Sequence, residues 1–200
     1  MRLHFQQTLE EYCQQHIFQP LQMRHTSFSM DSLPVENLAC PYLGFGRIYL
    51  KLPNIDYTFL DPCGDLLTTI DDLSHFLIAH INNCTYQQVR ILNETTIREM
   101  HTVQYPKSNP YFGVLYFGLA WLIFEGEFGK TTHGHDGYFV CYHARMRIFN
   151  DNNTAIMYFF NKGYRPSLLL RRLPNFLEYQ GDALIRKLLY EKASMMTSLQ

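Results

Sequence analysis

The chain has 200 residues, 46% of them hydrophobic and 15% aromatic, with a formal net charge of −1. That hydrophobic share excludes wholesale disorder and suits one packed domain. The charge balance offers no basic field for nucleic acid and no acidic tail, and no run of 18 apolar residues predicts a membrane-spanning helix.

Phe5, Leu9, Tyr12, Cys13 and Ile17 recur at helical spacing and predict a helix over 4–18, ended by Pro20. No apolar signal-peptide core precedes it, so the cytoplasm is the default expectation. Pro20, Pro34, Pro41, Pro53 and Pro62, with Gly44 and Gly46, predict irregular structure over 20–62 with one short strand. Thr69 is placed as the cap of a second helix, with Asp72 at capping-box spacing. Asp71 and Asp72 suit the positive end of its dipole, and are read as helix-start charges, not as an acid–base pair. Ile70, Leu73, Phe76, Leu77 and Ile81 form its apolar stripe. Asn93 caps a third helix that ends near His101, with Leu92 and Ile97 at staple spacing.

From residue 112 the pattern turns to strands. The run Y-F-G-L-A-W-L-I-F (116–124) predicts one strand with Trp121 in the core. A Gly-rich turn at 126–129 and the stretch T-T-H-G-H-D-G-Y-F (131–139) precede a long alternating strand. There Val140, Tyr142, Ala144, Met146 and Ile148 share one face, and Cys141, His143, Arg145 and Arg147 the other. Arg145 and Arg147 are read as solvated or as partners of nearby acids. Asp151-Asn152-Asn153 is a turn, and T-A-I-M-Y-F-F-N (154–161) is an apolar strand of a sheet covered on both sides. Three successive strands with short turns imply an antiparallel meander. Phe176, Leu177, Leu184, Ile185, Leu188 and Leu189 mark a C-terminal helix over 174–192, expected to pack across that sheet. The expected organisation is therefore a single α+β domain. Helix and loop fill about 1–110, antiparallel strands 111–163, and the terminal helix follows.

The histidines raise the question of chemistry. His133 and His135 lie two apart, on one face of a strand, and His143 shares that parity. A zinc site would need a third ligand and an acidic neighbour to orient it; neither is evident, so no metal and no cofactor are expected. Cys13, Cys40, Cys63, Cys84 and Cys141 are odd in number and lack CxxC spacing, which reads as reduced thiols. Asn83, Asn93 and Asn152 open N-x-S/T triplets, which arise often by chance.

Four pieces, in order, resemble the serine β-lactamase-like family of class C β-lactamases, DD-peptidases and related esterases. "Y-C-Q-Q-H-I-F-Q-P-L-Q-M-R-H-T-S-F" (12–28) resembles the family's helix-to-loop signature, usually I-F-x-P-L-G-M-x-x-T. "D-P-C-G-D-L-L-T-T-I-D-D-L-S-H-F" (61–76) resembles A-G-G-L-x-S-T-x-x-D-L-x-x-F. "F-G-L-A-W" (117–121) resembles Y-G-L-G-W. "G-H-D-G" (134–137), followed by a strand, a turn and a second apolar strand ending at Asn161, resembles the third catalytic element and the closing strands. Gln22 and Asp65 stand where the family has glycines.

The resemblance implies a truncated β-lactamase/transpeptidase-like fold and acyl-enzyme hydrolysis of amides or esters. Family members combine a nucleophile motif S-x-x-K, a Y-x-N motif, and K-T-G or H-x-G on a strand edge. A serine must lose its proton to a base while backbone N–H groups stabilise the oxyanion. Of the two registers, His133-Gly134-His135 loses the motif glycine, whereas His135-Asp136-Gly137 keeps H-x-G intact and fits the spacing to the turn at 151. The second register makes His135 face substrate, Gly137 the motif glycine, and the Tyr138 backbone N–H the oxyanion donor. His133 is then only a neighbour. Tyr138, Phe139 and Val140 replace small family residues and would narrow the cleft.

No serine has a lysine three residues on, and no Tyr-x-Asn occurs. Both motifs precede the 4–18 helix in the family, so the resemblance implies truncation at the N-terminus. The chain alone is then expected to be inactive. It would meet a small amide or ester substrate only if an upstream segment completes it. The alternatives are a split, active hydrolase or a non-catalytic binding module. Two sheet strands would be absent, and self-association through the exposed edge is expected.

Overall fold

The computed structural model describes residues 7–45, 48–55, 63–106, 114–127, 129–139, 141–164 and 187. Met1–Gly163 form one compact unit and Tyr164–Gln200 a second. The expected helix over 174–192 lies outside the described residues, apart from the helical Lys187.

Helix α1 (Leu9–Cys13) opens on a complete capping box: the Thr8 hydroxyl accepts the Glu11 N–H, and the Glu11 carboxylate accepts the Thr8 N–H. It continues as a π-helical stretch, Gln14–Phe18, which delivers Phe18 into a core cluster with Leu21, Met23, Ala79 and Tyr86. Thr69 caps α2 (Ile70–Ile81) through the Asp72 N–H. The Asp72 carboxylate does not complete the box. It is buried and accepts the His25 N–H at 2.6 Å and the Thr26 hydroxyl at 2.8 Å, pinning that loop to α2. Helix α2 is buried on two sides. Ala79 joins the first cluster, and Leu77 joins a second with Trp121 and Ile148. Ile70, expected in the stripe, is exposed. Helix α3 (Glu94–His101) has Asn93 as its cap and buries Ile97.

Strands β1 (Tyr42–Phe45) and β2 (Ile48–Lys51) form an antiparallel hairpin within the Pro-rich region, and β11 (Lys162–Tyr164) lies beside β1. A short hairpin, β3 (Thr85–Tyr86) and β4 (Val89–Arg90), follows α2. The main sheet has six antiparallel strands in the order β10-β9-β8-β7-β6-β5. These are β5 (Tyr105–Pro106), β6 (Val114–Phe117), β7 (Leu122–Glu127), β8 (Lys130–Phe139), β9 (Tyr142–Phe149) and β10 (Thr154–Phe160).

Two sequence expectations change here. The run 116–124 is a hairpin, not one strand: Gly118 N–H bonds to the Trp121 carbonyl, and Ala120 takes φ 59° between them. A side chain on Gly118 would collide with the Met100 carbonyl, so α3 docks against this turn. The stretch 131–139 is itself a strand, and the chain reverses between Phe139 and Tyr142. Because of that reversal His143 does not share a face with His133 and His135. It opposes Tyr138 on the other face, with the two rings 4.1 Å apart.

Candidate active site

Directly opposed residues of neighbouring strands share a face. His133, His135, Gly137 and Phe139 of β8 therefore stand on one side of the sheet with Ile148, Met146, Ala144 and Tyr142 of β9. Helix α2 packs on this side, where Leu77 and Trp121 meet Ile148, with Met146, Ala155 and Met157 around them. Its cover ends along β8: His133 is half-buried, whereas His135, Gly137, Phe139 and Ala144 are exposed.

His133 faces inward. Its Nε2–H donates to the His101 carbonyl at 3.2 Å, and Asn150 Nδ2 donates to its Nδ1 at 3.2 Å. Both ring nitrogens are thereby used, which fixes the neutral tautomer. Its ring stacks on His101 at 4.8 Å, and His101 and His80 each lie 4.7 Å from Trp121. Burial lowers all three histidines, His80 to about 3 and His101 to about 4; repulsion from a charged His101 adds to it for His80, and repulsion from a charged His133 adds to it for His101. Among the described residues, no group of three or more His, Cys, Asp or Glu is placed to hold a metal.

The two glycines of G-H-D-G differ in what they are for. A Cβ on Gly134 would strike the Met146 carbonyl and lie 3.0 Å from Arg147 Cδ, so packing demands glycine there. A Cβ on Gly137 would meet only Ala144 Cβ, at 3.6 Å, an ordinary contact. Among the described residues, nothing requires Gly137 to be glycine.

On the opposite face Asp136 lies between two arginines. Arg147 Nη1 and Nη2 donate to its two carboxylate oxygens at 2.6 and 3.1 Å, and Arg145 Nε donates at 3.1 Å. Burial would raise the Asp136 carboxyl, but the Arg147 hydrogen bond and the two positive charges outweigh it and hold it below its usual value. Arg147 is 1% exposed and lies over the Phe124 ring at 3.9 Å. The reading of Arg147 as a solvated residue is thus corrected; the reading as partner of a nearby acid is the one realised.

The backbone edge completes the arrangement. Strand β7 pairs with β8 only as far as Leu122 opposite Gly134, whereas β9 pairs along the whole of 133–139. Among the described residues no strand lies beside 135–139 on the β7 side. The Gly118–Trp121 turn bond sets the alternation: Leu122 bonds to Gly134, so the Asp136 and Tyr138 N–H groups point to the same, open edge. The site thus offers an exposed imidazole, a side-chain-free position and outward peptide N–H groups within four residues. Sequence reasoning missed Gly134, Asp136 and Ala144 because their roles arise across the hairpin.

Solved structures of the same fold include D-amino acid amidase from Ochrobactrum anthropi SV3 complexed with L-phenylalanine, at 20% identity and TM-score 0.72, covering 94% of this chain and 51% of that one. A D-stereospecific amidohydrolase from Streptomyces sp. matches at 18% and 0.61, covering 78% and 44%. The octameric penicillin-binding protein homologue from Pyrococcus abyssi matches at 22% and 0.63, covering 80% and 35%. The chain thus spans between about a third and a half of these structures. No curated protein matches it. The β-lactamase family model matches residues 2–178, and this chain belongs to that family.

Proposed function

We propose that this chain carries the substrate-orienting part of a serine hydrolase that transfers acyl groups from amides or esters, and that it is inactive by itself. His135 is the donor facing substrate, Gly137 keeps the strand surface clear, and the Tyr138 N–H serves the oxyanion. The carrying observation is the contrast between the two glycines: Gly134 is required by packing, whereas Gly137 is exposed, unconstrained and next to an open strand edge. The nucleophile is the element the sequence does not supply, since no serine is followed by lysine three residues on. The amidase, amidohydrolase and penicillin-binding homologues that share its fold support the amide-directed reading.

A fluorescent penicillin tests the proposal. The 200-residue chain is expected to stay unlabelled, while a longer chain adding S-x-x-K and Y-x-N upstream is labelled and loses at least tenfold in rate on His135→Ala. Labelling of the 200-residue chain alone overturns it. Strand β10 has no neighbour on its outer side among the described residues. Such an edge favours pairing with another chain, so concentration-dependent self-association is expected and would disappear in the longer chain.

A further inference from the structure

On the site face, the pair Gly137–Ala144 is flanked by His135–Met146 on one side and Phe139–Tyr142 on the other. A hydrogen and a methyl group between two large pairs leave a notch in the sheet surface. Both floor residues are exposed, and so is 40% of Phe139 at its rim. Tyr142 is held in place: its hydroxyl donates to the Ala39 carbonyl at 2.7 Å and lies 3.2 Å from Asn54 Oδ1. The notch therefore has an apolar, partly anchored aromatic wall.

An extended ligand paired with the open edge through the Tyr138 N–H would alternate its groups between the two faces. Opposed residues of an antiparallel pair share a face, so the ligand residue whose carbonyl accepts the Tyr138 N–H stands on the Tyr138 face, and the side group of the residue adjoining it falls on the face of Gly137 and Phe139. A flat apolar group there covers exposed ring surface of Phe139, and an aromatic ring also gains the offset or edge-on ring contact. We infer that this site selects amides or esters carrying an aromatic side group on the residue adjoining the one whose carbonyl reacts, with Phe139 as the specificity-determining residue. The inference rests on the proposed function and narrows its substrate class.

Backbone amide NMR of the isotopically labelled 200-residue chain tests it without turnover. The ligands are N-acetyl-phenylalanine methylamide, in both configurations, and N-acetyl-glycine methylamide. Both compounds are expected to shift the Gly137 and Tyr138 amides, with the better phenylalanine isomer binding about fivefold more tightly. Phe139→Ala should bring the two to parity, and Phe139→Tyr should keep the preference. Equal affinities in the unaltered chain, or a preference that survives Phe139→Ala, overturn the inference but leave the site reading intact. If neither compound shifts Gly137 or Tyr138, the site reading falls with it.

Discussion

Arg147 on β9 reaches across Gly134 to grip the Asp136 carboxylate with both guanidinium nitrogens, at 2.6 and 3.1 Å. Asp136 is the middle residue of the H-x-G stretch, and its side chain lies on the face away from His135 and Gly137. The clamp thereby fixes the strand from behind, while the front remains open. Gly134 is what lets the long arginine side chain lie so close to β8.

Removing the carboxylate leaves a guanidinium that is 1% exposed without its bidentate partner. Asp136→Ala is expected to cost about 3 kcal/mol, measured as a fall in the urea midpoint. The folded Asp136 carboxyl titrates below its usual value. Its contribution is therefore complete above the unfolded value of 3.8 and lost as pH falls through the folded one. A smaller loss in the alanine variant below pH 3 than at pH 7 checks the assignment.

The two motif glycines predict opposite outcomes for one chemical change. Gly134→Ala forces a methyl into the Met146 carbonyl and is expected to destabilise by about 2–3 kcal/mol. Gly137→Ala meets only Ala144 and is expected to stay within about 0.5 kcal/mol of the parent. The same Gly137→Ala change should weaken binding of N-acetyl-phenylalanine methylamide in the NMR titration. Equal destabilisation by the two substitutions would remove the distinction.

Buried His80 and half-buried His101, both against Trp121, with half-buried His133 stacked on His101, make the fold acid-sensitive. The unfolded chain takes up protons near pH 6.5 that His80 and His101 refuse until about 3 and about 4, and His133 is lowered as well. Their contribution is thus complete above pH 6.5 and declines steadily as pH falls towards 4. Each unit of depression is worth about 1.4 kcal/mol, so even a third of the shift moves a urea midpoint measurably between pH 7.5 and 5. His80 Nδ1 is buried without a hydrogen-bond partner. His80→Phe should therefore change stability little at pH 7.5 and flatten the pH slope.

Gln22 at φ 58° and Ala120 at φ 59° hold left-handed backbone where the family motifs have glycine, as does Asp65 at φ 65°. A Cβ there crowds the following carbonyl. Gln22→Gly and Ala120→Gly are each expected to stabilise the chain by about 0.5–1 kcal/mol, additively, since the sites lie in different turns. Thermal unfolding of the single and double variants measures this.

Local signals were legible in the sequence wherever neighbours along the chain settle the outcome. Thr69 and Asn93 start α2 and α3 because a side-chain oxygen needs only an N–H three residues on. The glycines at 126 and 129 mark the β7–β8 turn because both take positive φ. The β1–β2 hairpin was less visible, since its pairing depends on a partner strand and not on a strong turn signal.

Sequence by itself determined the caps of α2 and α3, the order of the family motifs and the lack of an S-x-x-K stretch in these 200 residues, all of which are statements about adjacency. Only the tertiary structure decided that the chain turns back after Phe139, placing His143 behind the sheet and Arg147 on Asp136. It also separated the glycine that packing requires from the one that leaves the surface open. Strand register brings together residues far apart in sequence, and a one-residue change in where a hairpin turns moves every later side chain to the other face.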